Sequence, residues 1–209
     1  MRIDIATLDA VLFSIYWTNI QAIKEHLAKS KNAAFRFTNN INIEPLLNLQ
    51  YAYNPNPQRA IFFPITRGCT IMFPNLQDGW ASLFHNIANG LNSKACYMRI
   101  MDDTIVETSN YLIHIENMQR RVVYTLKENK WIFFEQGTPL FFENQEHYNI
   151  NPKKKRLNKT IMLEYSERLE ITQNGIININ TDGAFACELF WEGQFANSKG
   201  AGAVAFTRK

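Results

Sequence analysis

The residues predict an α+β fold, a mixed and largely antiparallel sheet with helices packed on one face and a small C-terminal β region. Three observations carry this. In Asp78-Gly-Trp-Ala-Ser-Leu-Phe-His-Asn-Ile-Ala-Asn-Gly-Leu91, the residues Trp80, Leu83, Phe84, Ile87, Ala88 and Leu91 recur at the spacing of one helix face. Short apolar runs flank it, Cys69 to Phe73 before and Ala95 to Met101 after. Beyond them, Tyr111 to Glu116, Arg120 to Lys127 and Trp131 to Phe134 follow one another across connections of a few residues. Parallel neighbours would need a long crossover, so such connections join antiparallel strands.

Residues 7–30 read as a first helix, with Thr7 as its cap and Leu8, Val11, Leu12, Ile15, Ile20, Ile23 and Leu27 as an apolar stripe. Tyr16 and Trp17 widen that stripe, which predicts burial or a partner surface. Phe35 to Phe37 and Ile41 to Ile43 suit short edge strands, Pro45 can begin a helical turn, and Asn54-Pro-Asn-Pro57 is a loop. Ala60 to Ile65 is an apolar strand interrupted by Pro64, which predicts a short or edge position. Asp78 is placed to cap the central helix. Asn117-Met-Gln119 has hairpin length, and Glu135-Gln-Gly-Thr-Pro139 reads as a tight loop. Lys159 to Leu169 is a short helix. Ile176 to Ile179, Ala184 to Trp191 and Ala203 to Phe206 are C-terminal strands, with a turn at 197–202 between the last two. The weakest seam is Asn149 to Asn158. It divides a main α+β domain, 1–149, from a helix-plus-strand segment, 150–209, that is equally able to extend the same core.

Composition narrows the function classes. Fifteen Phe, eight Tyr and four Trp imply an aromatic core or partner surface. Residues 1–149 hold 13 Lys/Arg and 13 Asp/Glu, so the net charge of +3 lies entirely in 150–209, which hold 9 and 6. A nucleic-acid binder usually carries more basic excess spread over a face. Cys69, Cys96 and Cys187 are widely spaced and form no zinc pattern, so they read as buried free thiols in a reducing cytoplasm. The first residues lack the features of a secretory signal, and the apolar stretch from Leu8 to Ile23 is too broken by polar residues to span a bilayer. No phosphate-binding glycine loop, metalloprotease motif, calcium loop or nucleophile elbow occurs, so no cofactor or metal is expected. Ser82 and His85 share a helix face without an orienting acid.

Asp78-Gly-Trp80 opening an amphipathic helix resembles a group of small bacterial proteins encoded beside polymorphic, contact-dependent or type VI-secreted toxins. So does Trp131-Ile-Phe-Phe-Glu-Gln-Gly-Thr-Pro-Leu-Phe-Phe-Glu143 followed by Tyr148, and so does Leu163-Glu-Tyr-Ser-Glu-Arg-Leu169. The resemblance covers about residues 60–170 and rests on aromatic and turn residues. It implies an immunity protein, a non-enzymatic cytoplasmic inhibitor that binds a cognate toxin 1:1 and occludes its active site. The expected contacts are Asp102, Asp103, Glu107, Glu135, Trp191 and Phe195. Two other readings stand beside it. One is an enzyme whose acid/base site gathers Asp102, Glu135, His85 and His114. The other is a nucleic-acid-associated protein using Lys153 to Arg156, Arg120 and Arg121.

Overall fold

Residues 11–16 are apolar or small at nearly every position, and a strand buried on both faces needs that pattern. In the computed structural model, Ala10–Tyr16 is accordingly a strand, β2, at the middle of a nine-stranded sheet. This corrects the helix expected over 7–30. A continuous apolar run does not distinguish a doubly buried strand from a buried helix. The helical signal belongs only to Ile20–Ala28, α1, where Asn19 accepts the Ala22 N–H at 2.9 Å and Ile23 and Leu27 are buried.

The structure describes residues 1–30, 35–39, 41, 55, 57–65, 68–105 and 108–189. Glu107, Trp191, Phe195, the turn at 197–202, the strand expected at Ala203 to Phe206 and the helical turn at Pro45 lie outside them. So does most of the segments expected at Ile41 to Ile43 and Asn54 to Pro57. The remaining strands are β1 Arg2–Asp4, β3 Phe35–Thr38, β4 Gln58–Ile65, β5 Cys69–Pro74, β6 Ala95–Met101, β7 Ser109–Glu116, β8 Gln119–Lys127, β9 Trp131–Gln136, β10 Ile176–Asn178 and β11 Phe185–Leu189. Helix α2 is Ala81–Gly90 and α3 is Lys159–Arg168. The sheet order is β3-β11-β4-β5-β2-β6-β7-β8-β9, with all neighbours antiparallel, while β1 pairs with β10 in a separate ribbon. Residues after 150 are thus woven into the same layers, since β11 lies between β3 and β4.

Two details differ from the expectation for physical reasons. β4 is interior, not at the edge. Its pairing with β11 ends at Phe62, so Pro64 lies where no donor is required on that side. Asp78 does not cap α2 directly. Its Oδ1 accepts the Trp80 N–H at 2.9 Å, and Trp80 itself sits in the left-handed region (φ 53°) as the residue before the helix.

The sheet carries two cores. On one face α1 and α2 cover Tyr16, Phe62, Met72, Tyr97, Ile113 and Phe185, with Leu83, Phe84 and Ile87 supplied by α2. On the other face lie Phe13, Ile15, Phe63, Phe73, Met98 and Leu112. That face is covered by α3, by the β1–β10 ribbon and by the segment linking β9 to α3, so helices lie on both faces of the sheet and not on one as expected. Among the described residues no helix is long and apolar enough to cross a membrane.

Candidate functional site

The link between β9 and α3 is anchored by charge rather than by apolar burial alone. Strand alternation on β8 sends Arg120 to solvent and Arg121 inward, on the face of Val123. Beyond β9 the chain turns at Gly137 (φ 88°), where an added Cβ would lie 2.3 Å from the Arg120 carbonyl oxygen. Only glycine tolerates both conditions. The Gly137 carbonyl thereby accepts from Arg121 Nη1 at 2.9 Å. The chain then folds back and inserts Glu143, whose carboxylate accepts Arg121 Nε at 3.0 Å and Nη2 at 2.7 Å. Glu143 also accepts the Tyr148 hydroxyl at 2.7 Å and the Leu140 N–H at 2.9 Å. Glu135 on β9 accepts Arg121 Nη2 at 2.8 Å.

Tyr165 from α3 receives the Asn144 N–H, and Arg168 donates to the Phe142 carbonyl at 3.0 Å. Burial pushes the Tyr148 and Tyr165 hydroxyls up, so both remain protonated. Burial would lower the Arg121 pKa, but its bonds to Glu143 and Glu135 outweigh that and raise it. Every lone pair that Glu143 would need as a base is already directed at a donor. The arrangement is a brace.

Across the sheet from this brace runs a row of directly opposed residues, Ile15, Cys96, His114 and Arg121. A Cys beside a His suggests a nucleophile and its base, but the environment opposes that chemistry. Cys96 is fully buried, and burial raises its thiol far above the ordinary range. Burial, then Lys94, pushes His114 down to about 4, against the opposing pull of Glu116 and Glu143. The neutral forms are favoured at both positions, whereas a reactive thiolate requires the reverse. The His114 ring packs at 6.4 Å from Trp17 and 6.5 Å from Phe142.

The acidic residues singled out in the sequence are separated. Asp102 follows β6 and accepts the Thr104 N–H at 3.0 Å and hydroxyl at 2.9 Å, with Lys159 Nζ at 3.8 Å. These bonds, the backbone one first, hold its carboxyl below the ordinary range. Asp103 beside it is raised by partial burial. Met98, Leu112, Val123 and Glu135 form one row, and Asp102 lies four residues past it and three strands from Glu135. At standard strand dimensions the two carboxylates are on the order of 20 Å apart. His85 is on α2 and His114 on the opposite face of the sheet, so the four residues of the dispersed acid/base reading are not brought together. The basic set is likewise split. Arg121 is buried in its ion pairs, Arg120 points to the α2 face, and Lys153–Lys155 form an exposed 3-10 turn on the other.

Sequence reasoning missed the brace, although strand alternation through Gln119-Arg-Arg-Val-Val already places one arginine inward. It also missed the most exposed apolar side chains. Phe141 is 81% exposed at the tip of the braced loop, and Met118 is 93% exposed in the Asn117-Met118 turn, where both φ values are positive. That turn leaves the sheet at the end of β8 nearest Arg121, the arginine that braces the Phe141 loop. Comparison with family models, with curated proteins and with solved structures yields no match for this chain.

Proposed function

We propose that the chain is a non-enzymatic binding protein, specifically an immunity protein. It would neutralise a cognate secreted bacterial toxin in the cytoplasm, 1:1, by occluding the toxin's active site. The observation that carries this reading is Phe141, a large apolar side chain left 81% exposed on a loop fixed from beneath by Arg121, Glu143, Tyr148 and Arg168. A rigid, exposed aromatic anchor binds with little entropic loss, and such residues dominate protein interfaces. Met118 extends the apolar area, and Glu116, Gln119 and Thr138 supply a polar rim. The resemblance of residues 60–170 to toxin-associated immunity proteins supports the same class. Asp102, Asp103 and Glu135 remain candidates for peripheral contacts that steer association. The dispersed acid/base reading draws no support from the positions of its four residues.

The reading predicts a toxin-like protein encoded beside the gene, and the test is titration of the purified chain into it, read by calorimetry and by residual toxin activity. Stoichiometric inhibition is expected. Phe141→Ala should weaken it by at least about tenfold, the equivalent of roughly 1.4 kcal/mol, while the fold stays intact. Inhibition that is indifferent to both Phe141→Ala and Met118→Ala defeats the anchor, and absence of any binding defeats the immunity reading.

A further inference from the structure

We propose that β9 is a dimerisation edge. It would pair antiparallel with β9 of a second copy about a two-fold axis at Phe134, joining the two nine-stranded sheets.

Among the described residues β8 is the only strand paired with β9, which ends the sheet order. The segment that returns beside it lies on a face and not along the edge. The Lys153–Lys155 turn packs on both β8 and β9, and the Arg156 guanidinium sits over the Phe133 ring at 5.3 Å. Edge strands of natural sheets are usually blunted by an internal lysine, a proline or a bulge. β9 has no lysine, proline or bulge, its one charged residue, Glu135, is bonded to Arg121, and its register with β8 is unbroken.

On the α2 side a ladder of rings runs toward this edge. Tyr111 stacks on Tyr124 at 4.9 Å and 24°, and Tyr124 on Phe134 at 5.0 Å and 21°. Each pair is directly opposed across the strands. Among the described residues Phe134 is the last ring of the ladder, and it is 39% exposed, so no described residue takes the next place. A two-fold axis at Phe134 fills it with the partner's Phe134 and continues the stack into the second copy. Cross-strand aromatic pairs are a main source of sheet stability.

The same register also matches charge. Phe133 then stands opposite the partner's Glu135, and Arg156 lies over Phe133. Arg156 therefore meets the partner's Glu135, and symmetry repeats the pair. Glu135 is available for it, because Oε2 is bonded to Arg121 while the carboxylate is 43% exposed. The pairing takes in Ile132 to Gln136, five residues per strand, and buries less than the standard interface of about 1,600 Å², which makes the association a weak one. This inference does not depend on the toxin-binding reading, since it concerns the chain alone.

Sedimentation equilibrium of the purified full-length chain should show a monomer–dimer transition as concentration rises. Phe134→Lys and Arg156→Glu should each shift it at least tenfold toward monomer with unchanged circular dichroism. Directly opposed residues on antiparallel strands lie within disulfide reach. Phe134→Cys should therefore cross-link to itself on mild oxidation. Ile132→Cys should not, but it should cross-link when mixed with Gln136→Cys. A chain that stays monomeric, a dimer unaffected by Phe134→Lys, open-ended oligomers, or self-cross-linking of Ile132→Cys in place of Phe134→Cys would each overturn the proposal.

Discussion

The two faces of the sheet are sealed by different physics. The α1–α2 face is closed by side chains such as Phe62, Phe84, Ile87 and Phe185, with Phe62 and Phe185 stacked at 4.8 Å. The opposite face has an equally apolar centre, but toward β8 and β9 it is closed by irregular chain pinned through Arg121 and Glu143. Helices satisfy their own backbone groups, so their apolar stripe is enough to dock them. A returning loop has no internal hydrogen-bond ladder, and its carbonyls and N–H groups need partners inside. The brace supplies these at Gly137, Leu140, Phe142 and Asn144. Apolar closure tolerates graded change, whereas a buried ion pair fails when either half is removed.

That difference is open to a double-mutant cycle. Glu143→Leu or Arg121→Met alone should destabilise by about 3–5 kcal/mol, because each strands the other charge in the interior. The combined variant should cost clearly less than the sum, and chemical denaturation measures both. Strict additivity would mean that the pair behaves as independent packing. On the helical face Phe84→Ala should cost a comparable 3–5 kcal/mol through cavity formation. It should add to Glu143→Leu within about 0.5 kcal/mol, since the sites lie on opposite faces.

A smaller effect isolates the turn beneath the brace. Gly137→Ala should cost about 2 kcal/mol, from the positive φ and the contact with the Arg120 carbonyl. Its denaturation midpoint should fall without loss of the helical circular dichroism signal. A neutral result would mean that the loop re-forms without that turn.

The last effect is pH-dependent and centres on His114 of the braced face, with His85 on α2 lowered in the same direction by burial. His114 has a folded pKa near 4, below its ordinary value of 6.5. The unfolded chain therefore takes up a proton first as pH falls. The stability tied to neutral His114 is complete above about pH 6.5 and is lost between there and about 4, at no more than about 1.4 kcal/mol per pH unit. His114→Leu should flatten this segment of a stability–pH curve. An unchanged slope would assign the dependence to other groups.

Much of this was legible beforehand. The α2 face, strands β5 to β9 and helix α3 follow from periodicities local to each segment, and the Asn117-Met118 turn from its length. β2 was misread because burial on both faces erases the alternation that marks a strand. The placement of β11 between β3 and β4 was not legible at all, because pairing partners more than a hundred residues apart leave no local trace. Among the candidate residues, Asp102 and Asp103 stand at the end of a strand as expected, whereas Glu135, expected in a tight loop, lies within β9, which runs two residues further than its aromatic run. What they bond to depends on Arg121 and Lys159, which approach from elements that tertiary folding alone brings close.

The order of the strands also has a kinetic consequence. β1 waits for β10, with Arg2 opposite Asn178, and β4 gains its second neighbour only when β11 arrives. At typical synthesis rates, residue 178 leaves the ribosome on the order of 10 s or more after residue 2. Until then the growing chain holds β4 as an open sheet margin rich in phenylalanine. Such long-range pairing places the protein among slow folders, with refolding in milliseconds to seconds. Completion of the sheet is thus a late event, tied to the last strand described.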